Sequence, residues 1–205
     1  MIQARATGLL AQAESAMKRA DFESAKGLLQ QALAQDSSNV NATFLLAVCF
    51  ARQSAWAEAA KGFARARALH PGHVAAIYNY GAMQEFLKRT DEAEQAYIAA
   101  LSQDRRYLPA LESLASLYFQ RNDAQKALQL VQQAMQLDPA SEKANLILAR
   151  LLHQAGNLAE VEACYDRVLD SHPRNQTALL FKGNLVFARG HVEESVDYYR
   201  RLLAL

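Results

Sequence analysis

The residues in this 205-residue chain whose types could support chemistry are carboxylates, histidines and cysteines. Glu58, Glu92, Glu160 and Glu194 recur at a regular spacing along the sequence. Carboxylates that recur at fixed spacing could act as general acids and bases. A negative charge in the first turn of a helix is also favoured by the helix dipole, and we predict this structural role for all four.

The histidines and cysteines also admit a structural explanation. His70 and His73 flank Pro71 and could meet at a metal ion, but histidines in a surface turn fit this spacing better, so we predict no metal site. Cys49 and Cys164 lie far apart among apolar residues, which favours buried free thiols. The sequence has no phosphate-binding glycine loop and no nucleophile elbow, so we expect neither enzyme activity nor a cofactor.

Composition and charge narrow the class of protein. Apolar residues make up 51% of the chain and charged residues 21%, as in soluble globular proteins. The net charge of +1 gives no electrostatic basis for binding nucleic acid. The sequence has no run of about eighteen apolar residues, so we predict no membrane insertion. Because the N-terminus lacks the pattern of a signal peptide, we expect a cytoplasmic protein.

The elements that must position these residues recur with a period of about 34 residues. Gly156 and Gly190 are one period apart, Pro71 and Pro139 are two periods apart, and Pro173 follows Pro139 after one more. This period predicts one continuous domain over residues 1–205. Its six repeats, of which the sixth is incomplete, are 6–39, 40–73, 74–107, 108–141, 142–175 and 176–205.

Each repeat contains two helical segments and a fixed order of residue sizes. Position eight is Ala or Gly in all six repeats, position twenty is Ala in the first four, and position twenty-four is large. The clearest example is repeat two, with Ala47, Trp56, Ala59, Phe63 and Pro71. This order closely resembles the tetratricopeptide repeat. The resemblance implies an all-α, right-handed solenoid of stacked antiparallel helix pairs that binds another protein.

In that family the first helix of each repeat lines a concave groove, so the resemblance implies a set of peptide-binding residues. They are Phe44, Val48, Tyr78, Asn79, Phe86, Glu112, Phe119, Leu146, Arg150, Phe181 and Asn184. The aromatic members would anchor an amphipathic helix or an apolar peptide, and the polar members would orient it. Position five is never Lys, so the Lys/Asn/Arg clamp with which some members grip a terminal carboxylate is absent.

Three alternatives to an open groove remain at this stage. The groove side chains could pack between helices or against another part of a longer protein. The chain could be a regulatory or substrate-recruiting region of a larger enzyme, such as a bacterial glycosyltransferase or sulfotransferase. The final residues, RRLLAL, end without a polar cap, so the chain could also self-associate through this end.

Departures from the repeat pattern lead to local predictions. Arg105 stands where other repeats have proline, which predicts a looser turn. Asp21, Asp123 and Asn157 are predicted to cap the second helices of their repeats. Lys182 departs from the pattern at position seven of repeat six.

Overall fold

The computed structural model describes the backbone of residues 2–205 and the side chains of residues 7–205, and over this range its regular elements are twelve α-helices. Two helices fall in each repeat, which confirms the all-α helical-repeat prediction. The helices are α1 Ile2–Lys18, α2 Phe22–Gln35, α3 Val40–Arg52, α4 Trp56–Leu69, α5 Val74–Phe86, α6 Thr90–Gln103, α7 Leu108–Gln120, α8 Ala124–Leu137, α9 Glu142–Gln154, α10 Leu158–Ser171, α11 Gln176–Ala188 and α12 Val192–Leu203.

The turn inside every repeat has the same backbone geometry. Position fifteen has a positive φ in all six repeats, from 59° at Ala20 to 83° at Gly190. The next residue donates its N–H to the carbonyl five residues back, as from Asp21 to Ala16 at 3.0 Å and from His191 to Val186 at 3.2 Å. This is the Schellman arrangement, which satisfies carbonyls at the end of the first helix.

Side-chain caps form at two of the three predicted residues. Asp21 accepts the N–H of Ser24, and Asp123 accepts the N–H of Lys126. The cap predicted at Asn157 is wrong, because its side chain makes no capping hydrogen bond. There the first turn of α10 contains Glu160, whose negative charge favours the helix dipole.

The turns between repeats rely on capping residues at position thirty-four. Asn39, His73, Ser141 and Asn175 each accept the backbone N–H three residues further on. These caps satisfy one of the amide groups that the start of a helix leaves without a partner. They fix where α3, α5, α9 and α11 begin, and these helices bear most of the predicted groove residues.

The turn at Arg105 is as tight as its proline-containing counterparts, so the prediction of a looser turn is wrong. The Tyr107 N–H reaches the Asp104 carbonyl at 3.1 Å, whereas the matching bond from His73 to His70 is 3.0 Å long. The Asp104 carboxylate also accepts the Arg106 N–H at 2.9 Å. The Asp138 carboxylate accepts the Ala140 N–H at 3.0 Å in the same way beside Pro139, so this turn closes with or without proline.

The chain divides into two compact units, Met1–Ala110 and Leu111–Leu205. Within the N-terminal unit, Leu29, Phe63 and Tyr97 are fully buried among small alanines. Within the C-terminal unit, Tyr165 and Leu179 belong to one buried cluster. Each helix pair buries an apolar face that neither helix could bury alone.

Small residues at position eight permit the close approach of helices, as the repeat pattern predicts. A Cβ atom added at Gly81 would lie 2.9 Å from the Ala96 Cβ atom, and one added at Gly183 would lie 2.8 Å from the Tyr199 ring. Both distances are too short for a methyl group, so the second helix rests directly on these glycines.

The four recurring glutamates and the two cysteines lie where the sequence predicts. Glu58, Glu92, Glu160 and Glu194 all lie in the first turn of a second helix. Both cysteines are buried free thiols, and burial raises their pKa values.

Among residues 7–205 no group of three or more potential ligands is placed to hold a metal ion. None of the described helices has the length and apolar character needed to cross a bilayer.

Candidate functional site: an aromatic groove in the C-terminal unit

The first helices of repeats four to six position six of the eleven predicted groove residues. Two cavities in the C-terminal unit are lined by them, and both include Arg150 in their walls. The six residues are Glu112 and Phe119 on α7, Leu146 and Arg150 on α9, and Phe181 and Asn184 on α11.

The first cavity, of about 520 Å³, is called the aromatic groove here. Its lining consists of Phe119, Arg150, His153, Gln154, Leu158, Val161, Tyr165, Phe181, Asn184, Leu185 and Ala188. Most of these side chains are apolar, and the polar ones are few. A concave apolar surface with a small number of polar groups is typical of a binding site.

Two ring contacts build the walls of the aromatic groove. The rings of Tyr165 and Phe181 stack with centroids 5.9 Å apart and planes 6° from parallel. The Arg150 guanidinium lies over the Phe119 ring, 4.4 Å from its centroid. Tyr165 is 4% exposed whereas Phe181 is 45% exposed, so the tyrosine fixes the wall and the phenylalanine presents it to solvent.

The charge in the aromatic groove is positive. Its lining includes Arg150 and the ionisable His153 but no carboxylate. Burial raises the pKa of the Tyr165 hydroxyl, Cys164 adds to this rise, and Arg150 opposes it. Tyr165 therefore stays neutral at physiological pH. The Asn184 carbonyl accepts the Tyr199 hydroxyl at 2.8 Å, which leaves its amide N–H groups for a ligand.

The second cavity, of about 610 Å³, is polar. Glu112 accepts a hydrogen bond from the Ser141 hydroxyl, and Glu142 accepts one from the Asn175 amide at 2.6 Å. Lys143 donates to the Ser113 hydroxyl at 2.9 Å. Because these side chains already bind one another, the aromatic groove is the stronger candidate site.

In the N-terminal unit, most predicted groove residues contact other side chains of the unit. The Phe44 ring lies 4.9 Å from the His73 ring and 5.5 Å from the Phe63 ring. The Tyr78 ring lies 5.5 Å from the rings of both Tyr97 and Tyr107. The alternative of packing between helices therefore describes Phe44 and Tyr78 well.

The other predicted residues of this unit differ in exposure. Val48 is half-buried and packs against a core cluster. The Asn79 amide donates to the Ala75 carbonyl of its own helix at 2.7 Å. Phe86 stacks on Trp56 with centroids 4.3 Å apart, and yet it remains 57% exposed.

Sequence reasoning overlooked Tyr165 as a wall of the groove. Tyr165 occupies position twenty-four of repeat five, which the repeat pattern assigns to the space between two helices. The signal that could have revealed it is Phe181, which lies at position six of the following repeat and supplies the ring on which Tyr165 stacks. Leu158, at the start of α10, was overlooked as well.

Comparison with known sequences identifies the family. Two family models described as tetratricopeptide repeat match this chain, one over residues 10–74 and 86–142 and the other over residues 118–185. The chain belongs to the tetratricopeptide repeat family. Proteins of this family are interaction scaffolds, and this tetratricopeptide repeat protein has the corresponding helix pairs.

Solved structures of similar fold include the proteins pilF and PilW. The pilF protein of Pseudomonas aeruginosa is 22% identical, with a TM-score of 0.87 over 98% of this chain and 91% of its own. PilW, a widely conserved type IV pilus biogenesis factor, is 20% identical, with a TM-score of 0.82 over 97% of this chain and 92% of its own. At these identities the likeness shows the fold alone.

A curated relative covers a smaller part of the chain. General transcription factor 3C polypeptide 3 of Homo sapiens is 28% identical over 117 residues, which are 56% of this chain. The chain spans only 13% of that relative's length.

Proposed function

We propose that this tetratricopeptide repeat protein is a scaffold whose aromatic groove binds an apolar segment of a partner protein. The observation that supports this proposal most directly is the exposed Phe181 ring, which is stacked on the buried Tyr165 and faces a groove of about 520 Å³. Aromatic side chains held in place by a buried neighbour are the residue type that dominates binding energy at interfaces.

The groove suits a short helix or an extended peptide with one or two large apolar side chains. Phe119, Leu158 and Phe181 offer apolar surface, and Asn184 and Gln154 offer hydrogen bonds at the rim. In a site with apolar anchors, a few polar contacts fix the orientation of the bound peptide while most positions of the peptide sequence remain unrestricted. Phe86 on Trp56 is a candidate secondary contact in the N-terminal unit.

The test is a selection of twelve-residue peptides on the immobilised full chain, with the peptides displayed at the N-terminus of a phage coat protein. Affinities of selected peptides are then measured by fluorescence anisotropy for wild type and for Phe181→Ala. We expect Phe181→Ala to weaken binding by about tenfold or more, since truncating an interface anchor costs about 2 kcal/mol.

Phe187→Ala is the matched control. Phe187 lies on the same helix α11 and is 56% exposed, but it does not line the aromatic groove. Its truncation should leave peptide affinity unchanged. Equal losses in both variants, or no selected peptide that depends on Phe181, would refute the proposal. A wild-type dimer that Phe181→Ala converts to monomer would show instead that a second copy covers the groove.

A further inference from the structure

We propose that Arg150 makes the aromatic groove selective for partner segments that have an acidic side chain beside their apolar anchor. This inference rests on the proposed function of the groove and adds the chemistry of its partner. The occupant is a protein segment with an internal Asp or Glu rather than a terminal carboxylate, since the position-five lysines of the terminal-carboxylate clamp are absent.

The first observation is how Arg150 is held. Its guanidinium lies over the Phe119 ring, 4.4 Å from the ring centroid, and no ion pair joins it to an acidic side chain among residues 7–205. The nearby carboxylates Glu112 and Glu142 are engaged by Ser141 and Asn175. A guanidinium presents five N–H donors in a planar fork, so one that lies over an aromatic ring can still form a two-point hydrogen bond to a carboxylate.

The second observation is charge complementarity. The lining of the aromatic groove contains no Asp or Glu, and His153 lies one turn further along α9 from Arg150. A basic side chain placed beside Arg150 would be repelled by its guanidinium, and a neutral one would give the guanidinium no charged partner. An acidic side chain close to the anchor avoids this repulsion and gives the guanidinium a charged partner.

The third observation is where Arg150 lies. It borders both the aromatic groove and the polar cavity, next to Phe119. A segment whose anchor contacts Phe181 and Tyr165 would place its neighbouring side chain toward Arg150. Arg150 is thus a specificity-determining residue, while the aromatic rings supply the anchoring contacts.

The experiment uses the peptides that depend on Phe181. Each peptide is made in three versions, with its Asp and Glu unchanged, replaced by Asn and Gln, or replaced by Lys. Binding is measured by fluorescence anisotropy to the full chain of wild type, Arg150→Glu and Arg174→Glu. Arg174 is the matched control, because it is an exposed arginine of the same unit that lines neither cavity, and its reversal changes the net charge equally.

Wild type and Arg174→Glu should bind the acidic version about tenfold more tightly than the amide version, as expected for a hydrogen bond to a charged group. Arg150→Glu should lose this preference and bind the Lys version more tightly than the acidic one. If wild type binds acidic and amide versions equally while Phe181→Ala still weakens binding about tenfold, the inference is wrong and the proposed function stands. If no selected peptide depends on Phe181, both are wrong.

Discussion

The two compact units use the same repeat pattern to different ends. In the N-terminal unit, the aromatic residues at groove positions contact rings of their own unit, as Phe44 does with Phe63 and His73. In the C-terminal unit, Tyr165 and Phe181 stack so that one ring is buried and the other remains exposed beside a cavity. An aromatic residue at a groove position is therefore no sign of an open groove by itself.

What separates the two units is the partner of each groove ring. Tyr78 meets two tyrosines, which leaves little of its surface for a ligand. Phe119 instead meets an arginine that has no acidic partner among the described residues.

The C-terminal unit also buries the charged side chain of Lys182, whereas the largest fully buried side chains of the N-terminal unit are apolar or aromatic.

The largest effect should come from truncating the ring at position twenty-four. Phe63→Ala removes a side chain with no exposed surface and should lower the free energy of unfolding by about 4 kcal/mol. Tyr165→Ala, at the same position of repeat five, should cost less, about 3 kcal/mol, because water from the groove can fill the space that its 4% exposed ring leaves. Urea denaturation followed by circular dichroism measures both. Equal costs would mean that Tyr165 is ordinary core.

A smaller effect is expected from the ion pairs of Lys182. Its ammonium group lies 3.1 Å from Glu162 and also binds Asp166, and its side chain is 6% exposed. Replacing both acids in Glu162→Gln/Asp166→Asn should destabilise the C-terminal unit by about 2–3 kcal/mol, because the buried charge loses its partners. Adding Lys182→Met should restore most of this loss in urea denaturation.

The matched control for that experiment is Glu194→Gln/Asp197→Asn. It neutralises two exposed acids of the same unit, whose weak pairs are with His191 and Arg200. Exposed pairs and a single first-turn charge each contribute little, so the control should cost less than about 1 kcal/mol. A failure of Lys182→Met to restore stability would show that the acids act through other contacts, such as the one from Glu162 to Arg189.

The same ion pairs predict how stability depends on pH. Burial raises the pKa of Glu162, but hydrogen bonds from Lys182 and Arg189 outweigh it and hold this pKa below its ordinary value of 4.5. A carboxylate whose pKa is lower in the folded state than in the unfolded state stabilises the fold at pH values above its unfolded-state pKa. This stability is lost as the pH falls through the folded-state pKa. The destabilisation caused by Glu162→Gln should therefore shrink as pH falls below 4.5. A pH-independent difference in unfolding free energy would contradict this.

The smallest effects concern the turns inside repeats, where the units differ again. In the N-terminal unit Ala20, Ser54 and Lys88 have positive φ, whereas the C-terminal unit has Asn122 and two glycines. Lys88→Gly should stabilise by about 0.5–1 kcal/mol, because glycine tolerates this backbone conformation. Gly156→Ala should destabilise by about 1 kcal/mol. Thermal unfolding would report both, and shifts of the same sign would refute the explanation.

The fold could be predicted from the sequence because the repeat period and the small residues follow from the geometry of helix packing. Ala or Gly at position eight allows close helix contact, and the short distances at Gly81 and Gly183 show why. Sequence reasoning failed at Arg105 and Asn157 because a turn can close without the residue that the pattern favours. The Asp104 carboxylate accepts the Arg106 N–H just as Asp138 accepts the Ala140 N–H beside Pro139, and α10 begins after Asn157 without a side-chain cap.

The groove was predictable only in part. The sequence placed Phe119, Arg150 and Phe181 on first helices, and all three line the aromatic groove. It could not show that Arg150 lies over Phe119 or that Lys182 forms ion pairs with two carboxylates, because such contacts depend on the side-chain geometry between repeats. For the same reason it did not separate Phe44, which packs inside its unit, from Phe181, which stays exposed.

The hydrogen bond that closes each turn, from a backbone N–H to the carbonyl five residues back, joins main-chain atoms alone. Six different sequences therefore form the same turn, and single substitutions there should cost no more than about 1 kcal/mol, with the positive φ at position fifteen as the main constraint. Insertions and deletions are another matter. Removing one residue would rotate the following helix by about 100° and direct its apolar stripe away from its partner. The turns should thus vary much more in sequence than in length.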